Sequence, residues 1–141
     1  MQTLTQSEYL TILSHAPAAA VKALAEAVIP RLGDILVLQS RTGLVMLPAI
    51  DSAQGTVFHL GEILTSEAHV RISGGVEGYG MCLGRDLEQA MAMALLDAAL
   101  TARIEADPIE AFLRAQSEAQ QQADETLLRQ VQATRVEMET F

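Results

Sequence analysis

The sequence predicts an α+β protein in which N- and C-terminal helices flank one face of an antiparallel meander sheet of four to five strands. Three observations carry this. Apolar residues recur at helical spacing near both ends of the chain. Short apolar or alternating runs, punctuated by glycine-rich turns, fill residues 34–85. No internal repeat or long linker interrupts the order.

The elements follow in sequence. Thr5-Gln6-Ser7-Glu8 fits a capping box, in which hydroxyl and carboxylate satisfy free N–H groups at a helix start, and a short helix follows to about His15. Pro17 suits the first turn of a second helix with the stripe Val21, Leu24, Ala25, Val28, which Pro30 and Gly33 stop. Ile35-Leu36-Val37-Leu38 and Leu44-Val45-Met46-Leu47 read as two strands joined at Arg41-Thr42-Gly43, with Pro48 weakening the second. Asp51-Ser52-Ala53-Gln54-Gly55 has turn composition. Residues 57–72 read as a strand in two pieces around Gly61, where Ala68, Val70 and Ile72 alternate with Glu67, His69 and Arg71. After Ser73-Gly74-Gly75 comes a glycine-rich strand, Gly78 to Gly84.

Asp86 is the expected N-cap of the next helix, which carries a broad apolar face through Leu87, Ala90, Met91, Ala94, Leu95, Ala98 and Ala99 to about Ala106. A last helix spans residues 108–133. Its stripe, Phe112, Ala115, Ala119, Ala123, Leu127 and Val131, is mostly alanine and buries little area of its own. That marks Ala115, Ala119, Ala123 and Leu127 either as a face for a partner helix or as the side of a weakly packed surface helix. Alternation at Val136 and Met138 predicts an extended tail. At 141 residues the chain is read as one domain, 1–141, with N-terminal helices (1–33), sheet (34–85), helical hairpin or arm (86–133) and tail (134–141).

Composition narrows function. Half the residues are hydrophobic but only 4% aromatic and none is Trp, so the core is built from small aliphatic groups that let helices approach closely. A net charge of −9 argues against nucleic acid and against an anionic membrane surface. No basic and apolar leader follows Met1, and no run approaches the ~20 apolar residues of a spanning helix, so a cytoplasmic protein is expected.

The candidates for chemistry are few. His15, His59, His69, Cys82, Glu62 and Glu67 contain no spacing typical of a metal site, so no metal is expected. Cys82, between Met81 and Leu83, reads as a small hydrophobe rather than a nucleophile, and no catalytic residue is assigned. Gly84, Arg85 and Asp86 at a helix start are candidates for an anion or subunit contact, without phosphate-loop spacing. Alternatively, the glycines let the helix cross close over the sheet while Arg85 makes a salt bridge.

A series of pieces carries a resemblance: Thr42-Gly43-Leu44-Val45-Met46, Phe58-His59-Leu60-Gly61-Glu62, Val70-Arg71-Ile72, Gly78-Tyr79-Gly80, Leu83-Gly84-Arg85-Asp86, Ala94-Leu95-Leu96-Asp97-Ala98 and Ala133-Thr134-Arg135-Val136-Glu137. In that order they resemble the PhnG family, the small subunit of the bacterial carbon–phosphorus lyase core complex. The last piece adds Arg135 to the contact candidates. The resemblance implies a supporting role in phosphonate breakdown beside PhnI-, PhnH- and PhnJ-type subunits, with a second copy of the chain in the complex. In that family a phosphonate displaces adenine at ribose C1 of ATP, a reaction assigned to the PhnI-type subunit. Radical cleavage of the carbon–phosphorus bond belongs to the PhnJ-type subunit with its iron–sulfur cluster. One cysteine here cannot hold such a cluster, and no cofactor is expected on this chain. The chain departs from the family pattern at Leu47-Pro48-Ala49, where arginine is usual, at Ser66-Glu67, where a Thr-Arg pair is common, and in ending at Phe141. The other readings are a stand-alone module binding an anionic metabolite at Gly84-Arg85-Asp86 and an independent hydrolase using Cys82.

Overall fold

The computed structural model describes residues 4–51 and 53–139. Two helices, α1 (Gln6–His15) and α2 (Ala18–Val28), lead through a 3-10 turn into β1 (Ile35–Ile50), β2 (Val57–Ile72) and β3 (Glu77–Leu83). Two more helices close the chain, α3 (Leu87–Thr101) and α4 (Ala106–Glu139). The strands pair antiparallel in the order β1-β2-β3. The α+β class stands, with three strands rather than four to five.

Helix starts follow their capping chemistry. Thr5 Oγ1 accepts the Glu8 N–H at 3.2 Å, while the Glu8 carboxylate turns onto the Thr5 hydroxyl instead of its N–H. Asp86 caps α3 by accepting the Gln89 N–H at 2.9 Å.

The strand count falls because two expected breaks do not occur. The ladder runs through Arg41-Thr42-Gly43, where Arg41 faces Glu67, Thr42 faces Ser66 and Gly43 faces Thr65. A two-residue hairpin needs positive φ at its centre, which β-branched Thr42 disfavours and which Gly43 does not adopt. The chain reverses instead at residues 51–56, where the Asp51 carboxylate accepts the Ala53 N–H and Gly55 takes φ +69°. Gly61 likewise stays in its ladder, opposite Leu47. The irregularities shrink to register shifts at Val37/Gln39 and Leu47/Pro48, the second accommodating a proline with no N–H to donate.

The C-terminal helices also differ from expectation. α3 stops at Thr101 because Arg103 turns left-handed at φ 59° and Ile104 N–H closes back on the Ala99 carbonyl at 2.8 Å. α4 starts earlier and continues to Glu139, replacing the extended tail up to that residue. After Pro108 it meets neither glycine nor proline, and Ala, Gln, Glu, Leu and Arg dominate it, so nothing ends the helix. The last two residues of that tail lie outside the described residues.

α3 is the centre of the core, with Ala90, Ala94 and Ala98 fully buried against the sheet. It can lie that close because β3 has glycine beneath it. A Cβ on Gly78 would stand 2.0 Å from the Ala94 carbonyl oxygen, and one on Gly80 would stand 2.3 Å from that of Ala90. One outward N–H of β3 is met by a carboxylate: fully buried Asp97 of α3 accepts the Tyr79 N–H at 2.9 Å. Asp97 also accepts Gln6 Nε2 at 3.0 Å and the Tyr9 hydroxyl, so one side chain joins α1, α3 and the sheet edge. Burial first, and then the Asp97 carboxylate, raise the Tyr9 pKa and keep that phenol a donor.

Four substitutions test this packing by urea denaturation. Gly80→Ala is expected to lower unfolding free energy by about 2–3 kcal/mol, since the backbone of α3 must move. Gly43→Ala, with nothing within 4 Å of an added Cβ, should stay within about 0.5 kcal/mol of the parent. Asp97→Ala strands three donors and should cost about 3 kcal/mol or more; Asp97→Asn, which keeps one acceptor oxygen, should cost less.

Candidate functional site

The anion candidates come first. Gly84, at φ +86°, donates its N–H to the Leu64 carbonyl at 2.8 Å and turns the chain from β3 into α3. Asp86 occupies the helix start itself. The Gln89 N–H holds its carboxyl below the usual range, and Lys22 Nζ adds an ion pair at 3.2 Å. The positive helix end is thus already met by an internal carboxylate, which opposes a second anion there. The ion pair made at this corner belongs to Lys22, while Arg85 is exposed beside it. The expected close crossing of helix over glycine strand is present, made by Gly78 and Gly80.

Cys82 is buried, which raises its thiol pKa, and its Sγ lies 3.4 Å from the Asp86 carbonyl. His15 sits on exposed α1 against the Thr11 carbonyl. The side chain of His59 lies outside the description. His69 is on the outer sheet face with a polar network. There Glu67 accepts from the Tyr79 hydroxyl at 2.6 Å and from Arg41, and Arg71 pairs with Glu77 at 3.1 Å. The Tyr79 hydroxyl, then Arg41, hold the Glu67 carboxyl below its usual range; burial and then Glu67 push Tyr79 up to about 12. Among the described residues no group of three or more His, Cys, Asp and Glu could hold a metal ion, and no helix is long and apolar enough to cross a membrane.

The remaining feature is shape. β3 covers β2 only from Thr65 to Arg71, so the hairpin of β1 and β2 continues past the sheet as a free arm. Cross-strand partners share a face, so Leu44, Met46 and Val57 lie on the side of α3 and Val45 and Phe58 on the other, while Leu60 is the extra residue at the Leu47/Pro48 register shift. These side chains are 44–67% exposed, apolar on both faces of the ribbon. Strands with two apolar faces normally lie between two layers.

α4 forms a second projection. It leaves the base of the sheet, passes α1 where Gln120 Nε2 donates to the Ile12 carbonyl at 3.0 Å, and continues beyond the α1 C-terminus. α1 itself runs from Asp97 at Gln6 to Gln89 at Ser14, toward the arm end. The arm and the far half of α4 therefore project from the same end of the body. Each is about 25 Å long at the rise of a strand or a helix.

At 100° per residue, Leu127 and Val131 fall on the same helix face as buried Ile109 and Leu113 and half-buried Gln116 and Gln120. The body-facing side of α4 thus continues as an exposed apolar face beyond the body. Ala115, Ala119, Ala123 and Leu127 are all exposed on this chain, as is Arg135 near the tip. The alanine stripe steps by four residues and drifts around the helix, which is why Ile109 and Leu113 escaped it. Asp97 was missed as a structural site, although an acid inside the run Ala94-Leu95-Leu96-Asp97-Ala98 is its signal.

Comparison with known proteins supplies the family. A family model described as "Phosphonate metabolism protein PhnG" matches residues 5–141. The chain is 37% identical over 105 residues to "Alpha-D-ribose 1-methylphosphonate 5-triphosphate synthase subunit PhnG" of Rhizobium meliloti (strain 1021). That stretch covers 71% of this chain and 64% of the relative, so the chain spans just under two thirds of the relative's length. A match along nearly the whole chain settles membership: the chain belongs to the PhnG family.

Proposed function

We propose that this chain is a supporting subunit of the assembly that forms alpha-D-ribose 1-methylphosphonate 5-triphosphate from ATP and methylphosphonate with release of adenine, in cytoplasmic phosphonate catabolism. The observation that carries the reading is the family match over residues 5–141, together with a relative named as a subunit of that synthase. A PhnI-type subunit performs the exchange at ribose C1, PhnH- and PhnJ-type subunits complete the assembly, and a second copy of this chain is present. The chain has no turnover of its own.

The physical support is consistent with an assembly role. Asp97, Glu67 and Asp86 are committed to internal hydrogen bonds, Cys82 is buried, and the projecting arm leaves two apolar faces uncovered. A module that binds an anionic metabolite alone would need the helix start that Asp86 already fills.

Tagged protein expressed with a PhnI-type subunit should retain it through affinity and size-exclusion steps; a chain that emerges without that partner would sink the proposal. Calorimetry of the isolated chain with ATP or methylphosphonate should give no micromolar binding. Micromolar binding that Arg85→Ala removes would favour the stand-alone module instead.

A further inference from the structure

We propose that the outer face of the sheet carries a pocket at Gly43 that receives one large apolar side chain of a partner subunit, with a carboxylate of that partner beside it on Arg41. The inference rests on the subunit reading above and names where the partner touches this chain. It starts from a glycine without an internal reason. The backbone of α3 requires Gly78 and Gly80, but Gly43 has no left-handed φ and nothing within 4 Å of where a Cβ would stand. A glycine inside a strand weakens it by roughly 0.5–1 kcal/mol relative to alanine, and close approach of another molecule is the reason left for it.

Register fixes what surrounds it. Gly43 pairs with Thr65, which pairs in turn with Leu83. Two residues toward the body Arg41, Glu67 and Met81 stand in line, and two residues toward the arm tip Val45 stands opposite Ile63. These rows share the face turned away from α3. The result is a pocket of about 330 Å³ with buried Thr65 and Gly43 at its floor and Arg41, Glu67, Val45 and Met81 around it. Val45 and Met81 are exposed, as is Leu83 next to Thr65, so its surroundings are apolar on two sides. That volume is at the small end of the ~300–1,000 Å³ of ligand sites, which suits a single side chain better than a nucleoside triphosphate.

Charge selects the partner's chemistry. The Arg41 side chain is 64% exposed, while its counter-ion Glu67 is 17% exposed and shared with the Tyr79 hydroxyl. At the pocket edge the guanidinium thus faces solvent and the acid is largely covered. A guanidinium has five N–H donors, more than Glu67 and the Gln39 side-chain oxygen use here. A partner carboxylate suits the remaining ones. The chain as a whole has a net charge of −9 and opposes an acidic group, but on this face Arg41 and Arg71 balance Glu67 and Glu77.

Calorimetry of the full chain with a PhnI-type subunit tests the site. Gly43→Leu, which fills the pocket, should weaken binding on the order of tenfold or more with unchanged far-UV circular dichroism, while Gly43→Ala stays within about threefold of the parent. Arg41→Gln should weaken binding too and flatten its dependence on salt. Full affinity of Gly43→Leu would overturn the proposal, as would a change confined to self-association, which would make the occupant a second copy. Should Gly43→Leu misfold, the parent decides. Met81, at the pocket wall, should be oxidised by hydrogen peroxide about threefold or more slower in the complex than in the free chain, and equal rates would overturn the proposal. A parent chain that binds no PhnI-type subunit overturns the subunit reading along with the pocket, whereas a parent that binds beside an unaffected Gly43→Leu overturns the pocket alone.

Discussion

The contact between α3 and the glycines of β3 governs the rest of the molecule. With backbone oxygens of Ala90 and Ala94 within 2.3 Å of where a Cβ would stand, α3 lies directly on the strand rather than on side chains. A chain that is 4% aromatic has little bulk with which to fill a wider layer, so it closes the distance instead. That approach places Asp97 where it can take the outward N–H of Tyr79. The same carboxylate gathers Gln6 and Tyr9, so α1 is fixed along the sheet edge and α4 along α1. The direction of the exposed half of α4 is thus a consequence of two glycines and one buried acid.

What the sequence displayed depended on the range of the interaction. Local chemistry was legible: Thr5, Pro17 and Asp86 mark helix starts, and the alternation of Ala68, Val70 and Ile72 marks the buried face of β2. Breaks that depended on competition were not. Gly43 and Gly61 look like interruptions by themselves, yet a better turn exists at residues 51–56, and once it forms Gly43 is carried in register and Gly61 stays in the ladder beside a register shift. The end of α4 was misread for a related reason. Val136 and Met138 alternate over a window too short to outweigh a breaker-free helical run. The resemblance pointed to the family ahead of the fold, whereas the shared direction of the arm and of α4 arises from elements distant in sequence and is not legible in it.

Pro48 and Glu67 each have a physical setting in the sheet. Pro48 sits at a register shift in β1, where a missing N–H costs little, and with Leu47 and Ala49 it leaves that part of the arm uncharged. Glu67 is locked between Arg41 and Tyr79 on the outer face, so its charge is balanced within the sheet. The distal arm is left nearly neutral and the polar network sits on its supported base.

Neutrality of the arm matters because of where the acids are. Half of them lie between Asp86 and Glu125, on α3, the first part of α4 and the loop between these helices, so like charges repel another acidic molecule approaching from the side of the body. The arm carries no such barrier, and its free edge along β1 is blunted only by its register shifts and Pro48. A long apolar ribbon of this kind is an aggregation hazard unless something covers it. Cover that is specific must match its length, reach both faces and tolerate a neutral surface.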